Sequence, residues 1–138
     1  MQTDTLRMST GFLIILSHLT SFALILLGGS LTGDERVELS LIIAPLFAAY
    51  VTAIVRKIAT LAAFDRTPVH PAMTILGIGT AVVFGLAIPA IIWRFEAGGI
   101  DSFKDLKNVV GIAETALGIY TGAVIDRLFG AAAPKAGG

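Results

Sequence analysis

Glu114 is the residue in this chain that most needs a chemical explanation. It interrupts the apolar run VVGIAETALGIY, residues 109–120. On a helix it lies about 13 Å past the polar residue Asp105. An ionised carboxylate in hydrocarbon is costly, so the group must face protein or water, hold a proton, or pair with a cation. The chemistry open to it is ion selection or proton acceptance. The structural alternative is a protonated carboxyl that locks helices together by hydrogen bonding.

His18 is the only other ionisable side chain deep in an apolar run, GFLIILSHLTSFALILLG, with Ser17, Thr20 and Ser21 close by. It falls about 12 Å from the start of its run at Thr10. The two runs enter from opposite sides, so His18 and Glu114 are expected at similar depth and could pair. The alternative for His18 is a neutral ring bonded to a neighbouring helix. Thr115 and Thr121 flank Glu114 and would supply polar lining to an ion pathway. Two axial imidazoles for haem would need His18 and His70, but His70 stands between prolines in DRTPVHP at a membrane edge. No cofactor is expected.

Small residues recur at helical spacing around these groups. Gly111, Thr115, Gly118 and Gly122 share one face, and Gly118–Gly122 is a GxxxG that lets a second backbone approach closely. Gly77, Ala81, Gly85 and Pro89 make a second stripe, and Ser40, Ala44, Ala48 and Thr52 a third. Close helix packing is the plain reading of all three, with Gly111, Gly118, Gly122, Gly77, Ala81 and Gly85 as packing positions.

The elements that must position these residues are read from composition. The 138 residues are 55% hydrophobic and 14% charged, with a mean hydropathy of +0.85. Apolar runs reach the roughly 18–20 residues that cross a hydrocarbon core. The expected fold is all-α: a polytopic membrane protein, one domain over residues 1–130 with four transmembrane helices at about 10–29, 34–63, 71–95 and 103–129. Residues 131–138 are expected to be a disordered tail. The first run exceeds a usual signal core, its flank is weakly charged, and no A-x-A site follows, so it is expected to be retained.

Local signals place the helix ends. Thr32-Gly-Asp-Glu35 and Ser102-Phe-Lys-Asp105 have the form of capping boxes. Pro71 suits the first turn of the third helix. The second helix, thirty residues or about 45 Å long, exceeds the hydrocarbon core, so Arg56 and Lys57 should project into the headgroups. Pro45 and Pro89 each remove a backbone donor inside a helix, and bends are expected there. Trp93, Arg94 and Phe95 suit an interfacial belt.

Ten basic and ten acidic residues give a formal net charge of zero, and there are no cysteines. No polybasic segment points to nucleic acid, and disulfides, thiolate metal sites and cysteine nucleophiles are excluded. No nucleophile–base pair, metal-ligand spacing or phosphate-binding glycine loop occurs, so no enzymatic activity and no metal is expected. With the N-terminus inside, Arg7, Arg56, Lys57, Arg66, Arg127 and Lys135 face the cytoplasm, against Arg36, Arg94, Lys104 and Lys107 outside. From that modest bias both termini are expected in the cytoplasm, with the protein in an inner or plasma membrane.

The expected function is a small homo-oligomeric channel or transport protein in the lipid bilayer, with Glu114 controlling ion or proton passage. The competing expectation is a non-catalytic accessory or anchor subunit, docked through its glycine faces to other membrane subunits.

Overall fold

The computed structural model describes residues 2–59 and 68–129; for Arg7, residues 57–59, Met73, Phe84 and residues 121–129 it describes the backbone only. The described chain is helical, with elements α1 (Thr3–Leu27), α2 (Gly33–Ala59), α3 (Pro71–Glu96) and α4 (Phe103–Phe129). The first helix begins seven residues before the expected Thr10, because the polar segment TDTLRMS continues the helix instead of preceding it. Residues 60–63, expected to finish α2, and the tail 131–138 lie outside the described residues.

Both capping boxes form. Thr32 N–H and Oγ1 each donate to Glu35 Oε2 at 2.8 Å, and Glu35 N–H returns a bond to Thr32 Oγ1 at 3.4 Å. Ser102 Oγ donates to Asp105 Oδ2 at 2.7 Å, and Asp105 N–H donates to Ser102 Oγ at 3.2 Å. These bonds occupy amide donors that a helix start otherwise leaves open. At the other end of α3, Gly98 takes a φ of +74°. Its N–H donates to Phe95 O at 2.9 Å, and Gly99 N–H to Arg94 O at 2.8 Å. A left-handed residue after the helix closes these carbonyls, and glycine does so without a Cβ clash.

Contacts along the helices fix their directions. Gly77 meets Leu6 and Thr10, while Gly85 meets Leu13 and Ser17; α1 and α3 are therefore parallel, and theirs is the most extensive packing. Lys107 pairs with Glu38 at 2.6 Å and Gly118 sits against Leu46, so α2 and α4 are also parallel. Gly11 against Ile54 makes α1 and α2 antiparallel. The four helices form a ring in the order α1, α2, α4, α3. Among the described residues α2 and α3 make no close backbone approach, and α1 touches α4 briefly across the centre.

The apolar core lies toward the end that carries the two short turns. Ile25, Leu39, Ile43, Ile88, Ile92, Leu106, Val110 and Leu117 are buried there. That end is also tied by polar contacts. Glu96 Oε2 accepts from Gly29 N–H at 3.0 Å and Ser30 N–H at 3.1 Å, and Arg36 donates to Leu26 O at 3.2 Å and Gly28 O at 2.6 Å. A smaller cluster, Ile14, Tyr50 and Ala81, continues the core toward the termini.

The exterior of the bundle is apolar, and several polar groups are buried beside the apolar core. Phe12, Leu27, Leu41, Ile75, Leu86, Ile112 and Ile119 are exposed on the rim, while His18, Ser17, Ser21 and Glu114 are buried. Such an apolar exterior suits a lipid surrounding. Three helical segments, Thr3–Leu27, Gly33–Arg56 and Thr74–Glu96, are long and apolar enough to cross a membrane. The described part of α4 is not among them. Lys104, Asp105, Lys107 and Glu114 fall within its first twelve residues, more charge than a single apolar window carries. The fold is thus all-helical, and its three apolar helices are compatible with an integral membrane protein.

Candidate functional site

The site is built where α1 and α4 touch across the ring. His18 lies about 14 Å from the turn end of α1 at Leu27, and Glu114 about 17 Å from the turn end of α4 at Phe103. Similar depth on facing helices brings His18 Nε2 to 3.5 Å from Glu114 Oε1. Relative exposure is 1% for His18 and 7% for Glu114, so neither group reaches the rim.

The other ring nitrogen defines the protonation of the pair. His18 Nδ1 stands 2.8 Å from the carbonyl oxygen of Ile14, one turn earlier in α1. A carbonyl can only accept, so Nδ1 carries a proton and donates it. In a neutral ring Nε2 is then a lone pair aimed at the carboxyl. The approach of 3.5 Å is longer than a formed hydrogen bond. Among the described residues Nε2 and both carboxyl oxygens have no hydrogen-bond partner. One proton held between Nε2 and Oε1 would serve both groups, as carboxylic acid beside imidazole or carboxylate beside imidazolium.

Aromatic side chains of α2 close the site. Phe47 stacks on His18 with ring centroids 6.0 Å apart at 26°, and Tyr50 lies tilted at 5.9 Å and 56°. Phe22 meets Phe47 edge-on at 5.6 Å. The spacing of residues 47 and 50 puts both rings on one helical face. Sequence reasoning did not single out Phe47 or Tyr50. Their signal was their register with His18 on an antiparallel neighbour.

The remaining expected site residues take separate places. Thr115 is exposed and turned away from His18, its hydroxyl donating to Gly111 O at 2.7 Å. It therefore does not line the cavity side with Glu114, because consecutive helix positions are about 100° apart. Gly111 faces open space, with no atom within 4 Å of where a Cβ would stand. Gly118 packs on Leu46, with a notional Cβ 3.6 Å from Cδ1. Of Thr121 and Gly122 the structure describes only the helical backbone.

The α3 stripe packs on α1. A Cβ on Gly77 would stand 3.4 Å from Leu6 Cδ1, Ala81 is fully buried, and a Cβ on Gly85 would stand 3.5 Å from Ser17 Cβ. Close approach here has a polar consequence. Pro89 has no N–H to donate to the Gly85 carbonyl one turn earlier. Ser17 Oγ donates to that carbonyl from α1, so the donor missing from α3 is supplied by its neighbour.

His70 is remote from this centre. It caps α3, its Nδ1 accepting from Ala72 N–H at 3.3 Å, which agrees with its place in a proline-flanked connector. No group of three or more metal-ligating side chains converges among the described residues. Comparison with protein-family models, curated proteins and solved structures finds no match to this chain.

Proposed function

We propose that the chain is a small homo-oligomeric membrane channel or transport protein with four membrane spans, in which Glu114, opposed by His18, controls ion or proton passage. The observation that carries this reading is the buried pair itself. Three polar atoms at mid-depth lack hydrogen-bond partners among the described residues, and such groups cost free energy wherever they serve only packing. A leucine pair would fill the same space without that cost. Ionisable groups inside a membrane bundle are a mark of ion and proton paths.

The place of α4 beside its neighbours supports a fourth span. It lies along α2 and α3, from the Lys107–Glu38 pair to the Tyr120 hydroxyl, which donates to Leu76 O at 3.0 Å. A helix packed alongside two apolar spans shares their passage through the bilayer. The path would run inside each protomer, through the His18–Glu114 level. The outward face with Gly111, Ile112, Thr115 and Ile119 would receive a second copy. Both termini would lie in the cytoplasm, by the bias of basic residues.

Flux into liposomes containing the purified protein tests this reading. Glu114→Gln is expected to lower ion or proton flux at least tenfold, or remove its pH dependence, with the assembly intact. Unchanged flux would remove Glu114 from the mechanism. Native mass spectrometry of gently extracted protein is expected to give a symmetric multiple of the 14.4 kDa chain. One copy bound to larger unrelated subunits would instead make it an accessory or anchor subunit.

A further inference from the structure

The functional reading above leaves the species open, and the following inference rests on it. A metal cation stripped of water takes about six oxygen ligands from its site. The His18–Glu114 level offers one carboxyl group and one imidazole nitrogen. Hydroxyls near it are turned to backbone carbonyls: Thr20 to Leu16 O at 2.9 Å, Ser21 to Ser17 O at 3.0 Å, and Ser17 to Gly85 O. On α4, Thr115 is bonded to Gly111 O and Tyr120 to Leu76 O. The rings of Phe47 and Tyr50 cover His18 from α2. Tyr50 from α2 is the titratable side chain set over the pair; Tyr120, further along α4, is turned to Leu76 O of α3, and α3 has no titratable side chain between Pro71 and Trp93.

We infer that the His18–Glu114 pair is a proton-binding site that excludes alkali-metal cations, with one proton shared between His18 Nε2 and the Glu114 carboxyl. The proton is bound without change of any other bond: it rests on Oε1 as carboxylic acid or on Nε2 as imidazolium, and leaves from either. Even with the Tyr50 hydroxyl counted beside the carboxyl oxygens and the imidazole nitrogen, a sodium or potassium ion would find fewer than the about six oxygen ligands that replace its hydration shell. With His18 1% and Glu114 7% exposed and two rings over His18, completing the set with water would require opening this packed level.

Infrared titration of the full chain in liposomes tests this directly. The protonated-carboxyl band of Glu114 is assigned by its loss in Glu114→Gln, or by its frequency change in Glu114→Asp if the glutamine variant fails to assemble. Titrations in sodium, potassium and choline chloride at equal ionic strength are expected to superimpose. A cation competing for the carboxylate would instead displace the curve by about one pH unit per tenfold concentration, and that displacement would overturn the proposal. Nitrogen NMR of His18 should show Nε2 titrating together with the carboxyl; independent transitions would also overturn it. Flux measurements separate this proposal from the functional reading. Superimposing titrations without flux of any ion support the proton site and remove transport, whereas sodium-displaced titrations with flux remove the proton site and leave transport.

Discussion

Ser17→Ala tests whether α1 repairs α3 at Pro89. The Gly85 carbonyl would accept from residue 89 in an unbroken helix, and proline has nothing to give. Ser17 Oγ donates instead, from a side chain 8% exposed. Removing the hydroxyl deletes one atom and opens little cavity, so the cost is that of an orphaned buried carbonyl, about 1–3 kcal/mol. Hydrogen bonds inside membrane bundles average nearer 0.6 kcal/mol and reach about 1.7, which narrows the expectation to about 1–1.7 kcal/mol.

Pro89→Ala restores an N–H that can reach the same carbonyl. In that background Ser17→Ala should cost less than about 0.5 kcal/mol, because the acceptor is already satisfied. The double-mutant cycle therefore predicts a coupling of about 1 kcal/mol, read from unfolding of the four variants in mixed micelles titrated with denaturing detergent. Equal costs of Ser17→Ala in both backgrounds, within the usual additivity of about 0.5 kcal/mol, would refute the repair.

The same assay applies to the buried pair. His18→Leu and Glu114→Leu should each destabilise by about 1–3 kcal/mol through the polar atom left behind, and the double variant should recover much of that loss. Strict additivity would mean the two groups do not interact. Glu96→Ala should cost about 1–2 kcal/mol and speed hydrogen exchange at the Gly29 and Ser30 amides, which it holds; unaltered exchange would count against that cap. Gly98→Ala forces a Cβ into the left-handed region at a φ of +74°, for a loss of about 1 kcal/mol, and Gly98→Asn should lose less. Gly111→Leu should leave the single chain within about 0.5 kcal/mol of wild type, since the site is open, while lowering the mass of the assembled particle. An unchanged mass would place the interface between copies elsewhere.

Much of the fold was legible because its signals are local. Capping boxes at Thr32–Glu35 and Ser102–Asp105, proline at the start of α3 and apolar runs of sufficient length depend on neighbours within a turn. The start of α1 was not legible, because TDTLRMS carries no breaker and its polarity reads as a flank. The small stripe Gly77, Ala81, Gly85 announced a close neighbour without saying which; only the parallel register of α1 named Leu6, Thr10 and Ser17 as its partners.

The site divides along the same line. An isolated carboxylate and an isolated imidazole at similar depth marked Glu114 and His18 from sequence, since both are costly in hydrocarbon without a partner. Periodicity also put Gly111, Thr115 and Gly118 on one face, but the direction of that face depends on how α4 rolls against α2 and α3. The bundle turned Glu114 inward and Thr115 outward. The ring order α1, α2, α4, α3 set His18 opposite Glu114 and laid Phe47 and Tyr50 over it. The chain alone determined which residues could not remain unpaired in an apolar medium, because that cost is a property of each side chain. Which groups meet was decided by helix rotation and register, which arise from packing summed over all four helices.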